Sequence, residues 1–163
     1  MSQLIVDAHI EIPTGSQNKY EFDKEKGKYV LDRVLFSPMH YPTEYGYLDG
    51  TLALDGDPLD ILVLATFPTF PGCVIESRVI GVLVMSDDKG QDEKLLAVPK
   101  SDPRWKHVTK LSDVSPHVLD EISHFFQVYK DLEKKKTVIE GWKDEAFAAN
   151  LYEECVARHN AQA

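Results

Sequence analysis

Basic residues are in short supply: 18 Lys and Arg stand against 27 Asp and Glu, leaving a net charge of −9. Nucleic-acid binding draws on a surplus of Lys and Arg that releases counterions from phosphates, so the deficit argues against it. Cysteine is nearly absent. Cys73 and Cys155 lie far apart and form no CxxC pair, which excludes a disulfide framework and reads as two reduced thiols. Long apolar runs are missing as well; the longest, Val79 to Met85, contains Gly81 and is far too short to cross a bilayer. The opening "MSQLIVDAHIEIP" has neither a basic start nor the continuous apolar stretch of a signal peptide, so a cytoplasmic protein with no membrane partner is expected. The six His residues show no HxxxH or His/Cys spacing, and nothing resembles a zinc site.

What is present is an ordinary globular composition, 43% hydrophobic and 28% charged, over 163 residues, which reads as one domain spanning 1–163. The first two-thirds has the pattern of strands and turns. "VDAHIEI" alternates, "KYEFDKEKGKYVLDRV" predicts a hairpin turning around Lys26-Gly27, and "LDILVLA" predicts a strand covered on both faces. "GCVIESRVIGVLVM" is a long strand pattern in which Gly81 predicts a bulge or bend, and "KLLAVP" follows a polar turn. The last third changes period. Val118, Leu119, Ile122, Phe125, Phe126 and Tyr129 recur at helical spacing, with Ser115 at the N-cap and Pro116 at the first helical position. A second helix is expected over Lys143 to Arg158, with Phe147, Leu151 and Cys155 on one stripe. The fold class is therefore mainly β (α+β): a small, closed or strongly curved sheet with two helices in the C-terminal third.

The chemistry concentrates in "DGDPLDILVL", where Asp55, Asp57 and Asp60 crowd against an apolar run. In an extended segment Asp55 and Asp57 share a face, and Asp60 enters the buried strand. An EF-hand fails, because counting from Asp55 puts Asp60 where Gly is required and Thr66 where Glu is required. A solvated acidic turn is the plain alternative, since "DGDP" is good turn chemistry. Other charges weigh against it. Asp87, Asp92 and Lys94 come from a second acidic turn, Lys19 and Glu21 sit two apart in "NKYEF" with Tyr20 and Phe22 facing a core, and Glu11 lies between two Ile residues. Several charges beside apolar strands imply a shared polar pocket. Oxygen-only donors select hard cations, Mg²⁺ or Mn²⁺, which keep bound waters and open positions for phosphate. Lys19, Arg33, Lys94 and Lys130, with Tyr41, Tyr45 and Tyr129, supply donors for an anion. Together they point to metal-assisted phosphoryl transfer.

The segments "IEIP", "NKYE", "LDRVLFSPMHYPTEYGY", "DGDPLDILVL", "FPGCVIESRVIGVLVMSDDKGQDEK" and "HFFQVYKDLE" run in order from Ile10 to Gly141. Together they resemble the soluble family I inorganic pyrophosphatases of prokaryotic type. The resemblance implies an oligonucleotide-binding-like (OB-like) β-barrel with flanking helices that hydrolyses pyrophosphate to two phosphates with Mg²⁺, Mn²⁺ being possible. It also implies a homo-oligomer, usually a hexamer. Carried onto this chain, it implies that Asp55, Asp57, Asp60, Asp87 and Asp92 hold metals, with Glu11 and Glu21 acting directly or through water. Lys19, Arg33, Tyr41, Tyr45, Lys94, Tyr129 and Lys130 would contact substrate or product phosphates. Asp57 is the expected base for the attacking water, with Asp92 the alternative. Two positions depart from the common pattern, Glu44 in "YPTEYGY" and Val128 in "HFFQVYKDLE". A competing reading keeps the OB-like barrel but makes it a non-catalytic metal or ligand binder, since fold alone permits either. A single-stranded nucleic-acid binder is a third, opposed by the net charge.

Overall fold

The computed structural model describes residues 3–162. β-branched and aromatic residues dominate the first two-thirds, and that part is almost wholly strand and turn. In order run β1 (Ile5–Ile12), β2 (Asn18–Asp23), β3 (Lys28–Val34), β4 (Glu44–Tyr47), β5 (Asp60–Val63), β6 (Val74–Asp87), β7 (Gly90–Gln91) and β8 (Lys94–Pro99). Helix α1 (Pro116–Val128), strand β9 (Val138–Lys143) and helix α2 (Glu145–Ala161) follow. The expected hairpin is β2 and β3, turning through Gly27 at φ +65°, a conformation that favours glycine. Strands β4 and β9 go beyond the sequence reading. The first is four residues long and the second is interrupted by Gly141, too little for periodicity to mark.

Strands β1, β4, β5, β8 and β6 pair in that order, and β6 pairs back with β1, so the sheet runs round as a ring. Only β5 and β8 are parallel within it. The ring is less regular than the closed barrel expected. Strand β6 is shared between β1, paired at Val74–Arg78, and β9, paired at Val82–Ser86. Register also shifts between Ile10 and Ile12, between Val79 and Gly81, and between Val84 and Met85. Bulges of this kind bend a strand and raise its twist.

The sheet separates two apolar clusters, and period-two alternation assigns residues to each. Ile61 and Val63 of β5 join Leu95 and Ala97 of β8 in one cluster, with Ala148 and Cys155 of α2. Leu62 joins Leu96 and Val98 in the other, with Ile122, Phe125 and Phe126 of α1. Strand β5 is thus buried on both faces, as its continuous apolar run requires. Gly81 is the expected bulge, and it reverses the alternation. Val79 faces the α2 side and Ile80 the α1 side; beyond Gly81 the even residues Val82 and Val84 take the α2 side. A Cβ at Gly81 would lie 2.9 Å from the Lys143 carbonyl oxygen, so β9 can approach only a glycine.

Helix α1 begins at Pro116 with Ser115 in the N-cap place, although the Ser115 side chain makes no capping bond. Helix α2 starts two residues later than expected and runs to Ala161, because Asp144 caps it by accepting from the Phe147 amide at 3.0 Å. Its buried stripe keeps Leu151 and Cys155 as expected but takes Ala148 and Tyr152 in place of Phe147. Phe147 is 43% exposed, while Ala148, Leu151, Tyr152 and Cys155 face the cluster. Steps of four drift off a helix of 3.6 residues per turn; the set i, i+3, i+4, i+7 does not. Cys73 and Cys155 are free thiols. Among the described residues no helix is long and apolar enough to cross a membrane.

Gly46 is the tightest point of the ring. A Cβ there would meet the His9 carbonyl oxygen at 1.9 Å and the Ile10 Cα at 2.9 Å, both backbone atoms of β1. Gly46→Ala should therefore separate β1 from β4 and destabilise the fold by about 3 kcal/mol or more. Thermal unfolding should show a Tm lower by roughly 10 °C; an unchanged Tm would mean that β4 has another way to sit.

Candidate active site

The segment "DGDP" is a turn, not the extended run expected, and strand geometry begins only at Asp60. Gly56 adopts φ +91°, the Ala53 amide donates to the Asp57 carbonyl at 2.8 Å, and the Asp57 amide donates to Asp55 Oδ1 at 3.0 Å. Buried Thr51 braces the turn from below. Its hydroxyl donates to the Leu48 carbonyl and accepts from the Leu59 amide at 2.9 Å. The end of α2 ties down the same loop, with Arg158 donating to the Leu52 carbonyl at 2.7 Å. The three aspartates still reach one place, because the turn folds over the start of β5.

That place is a cavity of about 360 Å³, within the range of small-ligand sites. Glu11 from β1, Lys19 and Glu21 from β2, Tyr45 from β4, Asp55, Asp57, Asp60, Asp87, Asp92, Tyr129 and Lys130 all line it. Phe22, Lys24, Tyr47 and Lys89 line it too, and the sequence reading had missed them as site residues. Tyr47 was within reach of that reading, since it lies two residues beyond Tyr45 on the same strand face. Phe22 was expected in a core; it faces the cavity instead, tilted against Tyr29 with ring centres 5.1 Å apart. Tyr20 does pack against the larger core. Glu44 is fully buried and accepts from the amides of Thr14 and Thr69 and from the Thr69 hydroxyl, so it braces loops away from the cavity.

Three expected residues do not line the cavity. Lys94 lies beneath it, 1% exposed, because it opens β8 in parallel register with Asp60. Its ammonium donates to Tyr45 Oη at 2.8 Å, Asp60 Oδ2 at 2.9 Å and Asp92 Oδ2 at 3.1 Å. Tyr45 in turn donates to Asp60 at 3.0 Å. Tyr41 is buried in the core, tilted against Phe125 and edge-on to Tyr45. Arg33 turns to carboxylates of its own, with Nη1 at 2.6 Å from Asp32 and Nε at 3.0 Å from Glu133.

Larger hollows exist elsewhere but lack the chemistry. One of about 520 Å³ beside Leu111 and Leu119 is mostly apolar. Another of about 410 Å³ carries Asp7, Asp49 and Glu76 with no Lys or Arg, so its charge repels an anion.

Carboxylates outnumber ammonium groups in the lining, seven to four. Burial pushes Asp60 up to about 7; Lys94 opposes the shift and Asp92 adds to it. Burial also raises Glu11 and Asp55 above the usual carboxylate range, the Phe22 and Asp57 amides opposing it. Burial would neutralise Lys94, but Asp60, Tyr45 and Asp92 outweigh it and keep the ammonium charged. Burial lifts Tyr45 and Tyr129 well above the ordinary phenol value, and Tyr47 to about 12, so all three stay neutral at physiological pH. Glu11, Asp55 and Asp57 make no ion pair among the described residues, where Lys130 pairs with Asp87 at 3.4 Å and Lys94 with Asp60 and Asp92. Glu11 and Asp55, held at a cost in their charged form, fit a hard cation, which would relieve that cost. No three acidic, His or Cys side chains among the described residues are already gathered as a ligand set. Such spacing suits Mg²⁺-type ions, which keep several waters, better than a closed protein cage.

The inorganic pyrophosphatase family model matches residues 8–160. The chain belongs to the inorganic pyrophosphatase family. It is 61% identical over 155 residues to the inorganic pyrophosphatase of Halalkalibacterium halodurans, covering 95% of each chain. It is 62% identical over 158 residues to that of Geobacillus stearothermophilus, covering 97% of this chain and 96% of the relative. The crystal structure of the Thermus thermophilus inorganic pyrophosphatase superposes with a TM-score of 0.94 at 45% identity, covering 96% of this chain and 91% of that one. Its activity is the hydrolysis of pyrophosphate, and the reading as a non-catalytic barrel gives way to it. The pyrophosphatase neighbours also account for the OB-like character of the ring.

Lys94 is the electrostatic support of the cavity floor. Lys94→Met leaves Asp60 and Asp92 buried without their cation, which should cost about 3 kcal/mol or more. The sign of the pH dependence follows from Asp60, whose carboxyl rises from 3.8 to about 7 on folding. Between those values the folded chain holds a proton that the unfolded chain releases, so this group's contribution falls as pH rises. Urea unfolding should find the Lys94→Met loss larger near pH ~8 than near pH ~5.5, where protonation spares the charge. Equal losses at both would dissociate Lys94 from the acids.

Proposed function

We propose that this pyrophosphatase works with Mg²⁺, with Mn²⁺ able to substitute, and that the cavity at the DGDP turn is where pyrophosphate is cleaved. The observation that carries the reading is the convergence of seven carboxylates and four ammonium groups from separate elements on one cavity of about 360 Å³. Asp55, Asp57, Asp60, Asp87 and Asp92 would hold the ions, with Glu11 and Glu21 direct or through water. Bound there, Mg²⁺ supplies charge neutralisation for the polyanion and lowers the pKa of water.

The chain's own groups do the rest. Lys19, Lys130 and Tyr129 face the cavity and bind phosphate oxygens, the lysines as point charges and the neutral phenol as a donor. Lys94 and Tyr41 act from behind this layer. Lys94 orients Asp60, Asp92 and Tyr45, Tyr41 packs Tyr45 against Phe125, and Arg33 approaches the anion from the hairpin. Asp57 accepts the proton of the attacking water. Its side chain is exposed to the cavity and accepts no hydrogen bond among the described residues, so its lone pairs are free. Asp92 is the weaker candidate: burial opposes its charge, but Lys94 and an Asp60 hydrogen bond hold its carboxyl below the usual range.

The same reading places the protein in the cytoplasm, where its two free thiols are at home. It also makes it a homo-oligomer, a hexamer by resemblance. Phe67 and Phe70, 71% and 63% exposed, are candidates for cover by a second copy. Sedimentation should give a mass several times the 18.5 kDa of one chain; a monomer at micromolar concentration would end this part of the reading.

Phosphate release from pyrophosphate should occur with Mg²⁺ and stop with EDTA or with Ca²⁺ in its place. Persistence in EDTA would remove the metal from the mechanism. Asp57→Asn should fold normally and lose most of kcat, by about 100-fold or more for a lost general base. His107→Ala, outside the cavity, should leave kcat within about twofold.

A further inference from the structure

Strand β3 carries one residue too many for its partner β2. Lys19 pairs with Arg33 and Tyr20 with Leu31, which leaves Asp32 unpaired as a bulge. Consecutive strand residues normally point to opposite faces, so Asp32 and Arg33 should part company. A bulge re-aims a side chain, and here it brings the two together. Asp32 Oδ2 lies 2.6 Å from Arg33 Nη1 and 3.3 Å from Lys19 Nζ. One carboxylate oxygen thus touches two cations of the hairpin, Lys19 and Arg33.

A second acid completes the arrangement. Glu133, just beyond α1, is only 6% exposed at its side chain and lies 3.0 Å from Arg33 Nε. The geometry is that of an ion pair without an aligned hydrogen bond, since Arg33 Nε and Glu133 Oε2 are both buried without a hydrogen-bond partner. Arg33 is therefore held between two carboxylates, one firmly and one poorly. Lys19 is shared between Asp32 and, at 4.0 Å, Glu21. Partial burial works against the charge on Asp32, yet Lys19 and Arg33 keep its carboxyl below the ordinary range. It stays an anion at any pH at which the enzyme would work.

We infer that Asp32 is a built-in competitor for phosphate: its carboxylate occupies Lys19 and Arg33, and substrate or product must displace it to engage them. The inference rests on the reading of Lys19 and Arg33 as phosphate-binding groups. The physical case is exchange of one anion for another at the same donors. A phosphate oxygen gains the two cations only as Asp32 gives them up, so the net gain is the difference between two charge-assisted contacts. Asp32 thereby weakens binding of pyrophosphate and orthophosphate alike. An enzyme whose product bears the same groups as its substrate gains from such weakening, because tight product binding slows turnover. Partially exposed ion pairs are each worth up to about fivefold in an equilibrium constant, so the effect is of that order.

The test uses Asp32→Asn, which keeps size and shape and removes the charge, with Asp32→Ser as a second variant. Both should unfold at the wild-type temperature to within a few degrees, since Asp32 is partly exposed on a hairpin. Titration calorimetry with inorganic phosphate, and product inhibition in steady state, should show phosphate bound roughly fivefold more tightly, with KM for pyrophosphate lowered by a similar factor. In a Lys19→Met/Arg33→Gln background the same Asp32 change should have no effect. Unchanged or weaker phosphate binding in both Asp32 variants would overturn the inference and make Asp32 a support for the two cations. A gain that persists in the double-variant background would also overturn it, since it would then come from the general field. Should Lys19→Met/Arg33→Gln alone leave phosphate affinity untouched, the underlying assignment of those residues falls, and the inference with it. That result is distinguishable because it needs no change at Asp32.

Discussion

Lys94 is a cation almost sealed from solvent, and three oxygen atoms within about 3 Å of its ammonium group keep it charged. A buried ammonium with no partners would give up its proton, and buried aspartates with no cation would take one up. Each therefore depends on the other. The pairing is available because β5 and β8 are parallel and bring Asp60 and Lys94 into direct register. Tyr45, one strand further on, closes the group through its bonds to both. The rings of Tyr45 and Phe126 lie 4.9 and 5.1 Å from the ammonium and add cation–π attraction. The site floor is thus continuous with the apolar core beneath it, and chemistry and packing share residues.

Above that floor the design changes from buried pairs to crowded, partly solvated charge. Asp55, Asp57 and Glu11 face the cavity without ion-pair partners among the described residues, and the DGDP turn that presents two of them is tied back by Thr51 and Arg158. Rigid loop anchoring under repelling acids holds a charge pattern open for a cation instead of letting it relax into solvent. Around the rim, the hairpin brings Lys19 and Arg33 together with their own carboxylates. Floor, turn and rim differ in charge compensation: two carboxylates share Lys94 at the floor, the turn has no ion pair among the described residues, and the hairpin pairs its cations with Asp32 and Glu133.

Local signals account for what could be read before any fold was known. The oxygen-only donor set, the hairpin at Gly27, the bulge at Gly81 and the period of α1 depend on residue type and near neighbours. Where the reading failed, a distant partner had intervened. Phe147 looked like part of a buried stripe, but α2 turns Ala148 inward to pack on β6. β9 is a strand because β6 offers it an edge, which its own six residues could not announce. Tyr41, Arg33 and Lys94 were expected at the site by resemblance, yet they lie outside the cavity lining, where burial and ion pairing place them.

By itself the sequence determined the class of chemistry. Aspartates without His or Cys partners suit hard cations, a deficit of basic residues argues against nucleic acid, and alternation against helical period sets strands first and two helices after them. Those properties reside in side-chain composition and short-range spacing, which no pairing of strands can alter. Only the tertiary structure decided which charges are sealed, which are left unpaired and which are shared. That division rests on register: Asp60 beside Lys94 in a parallel ladder, and Asp32 displaced by a one-residue bulge onto Lys19 and Arg33. Charges attract or repel according to distance, and distances between strands exist only once the strands have paired.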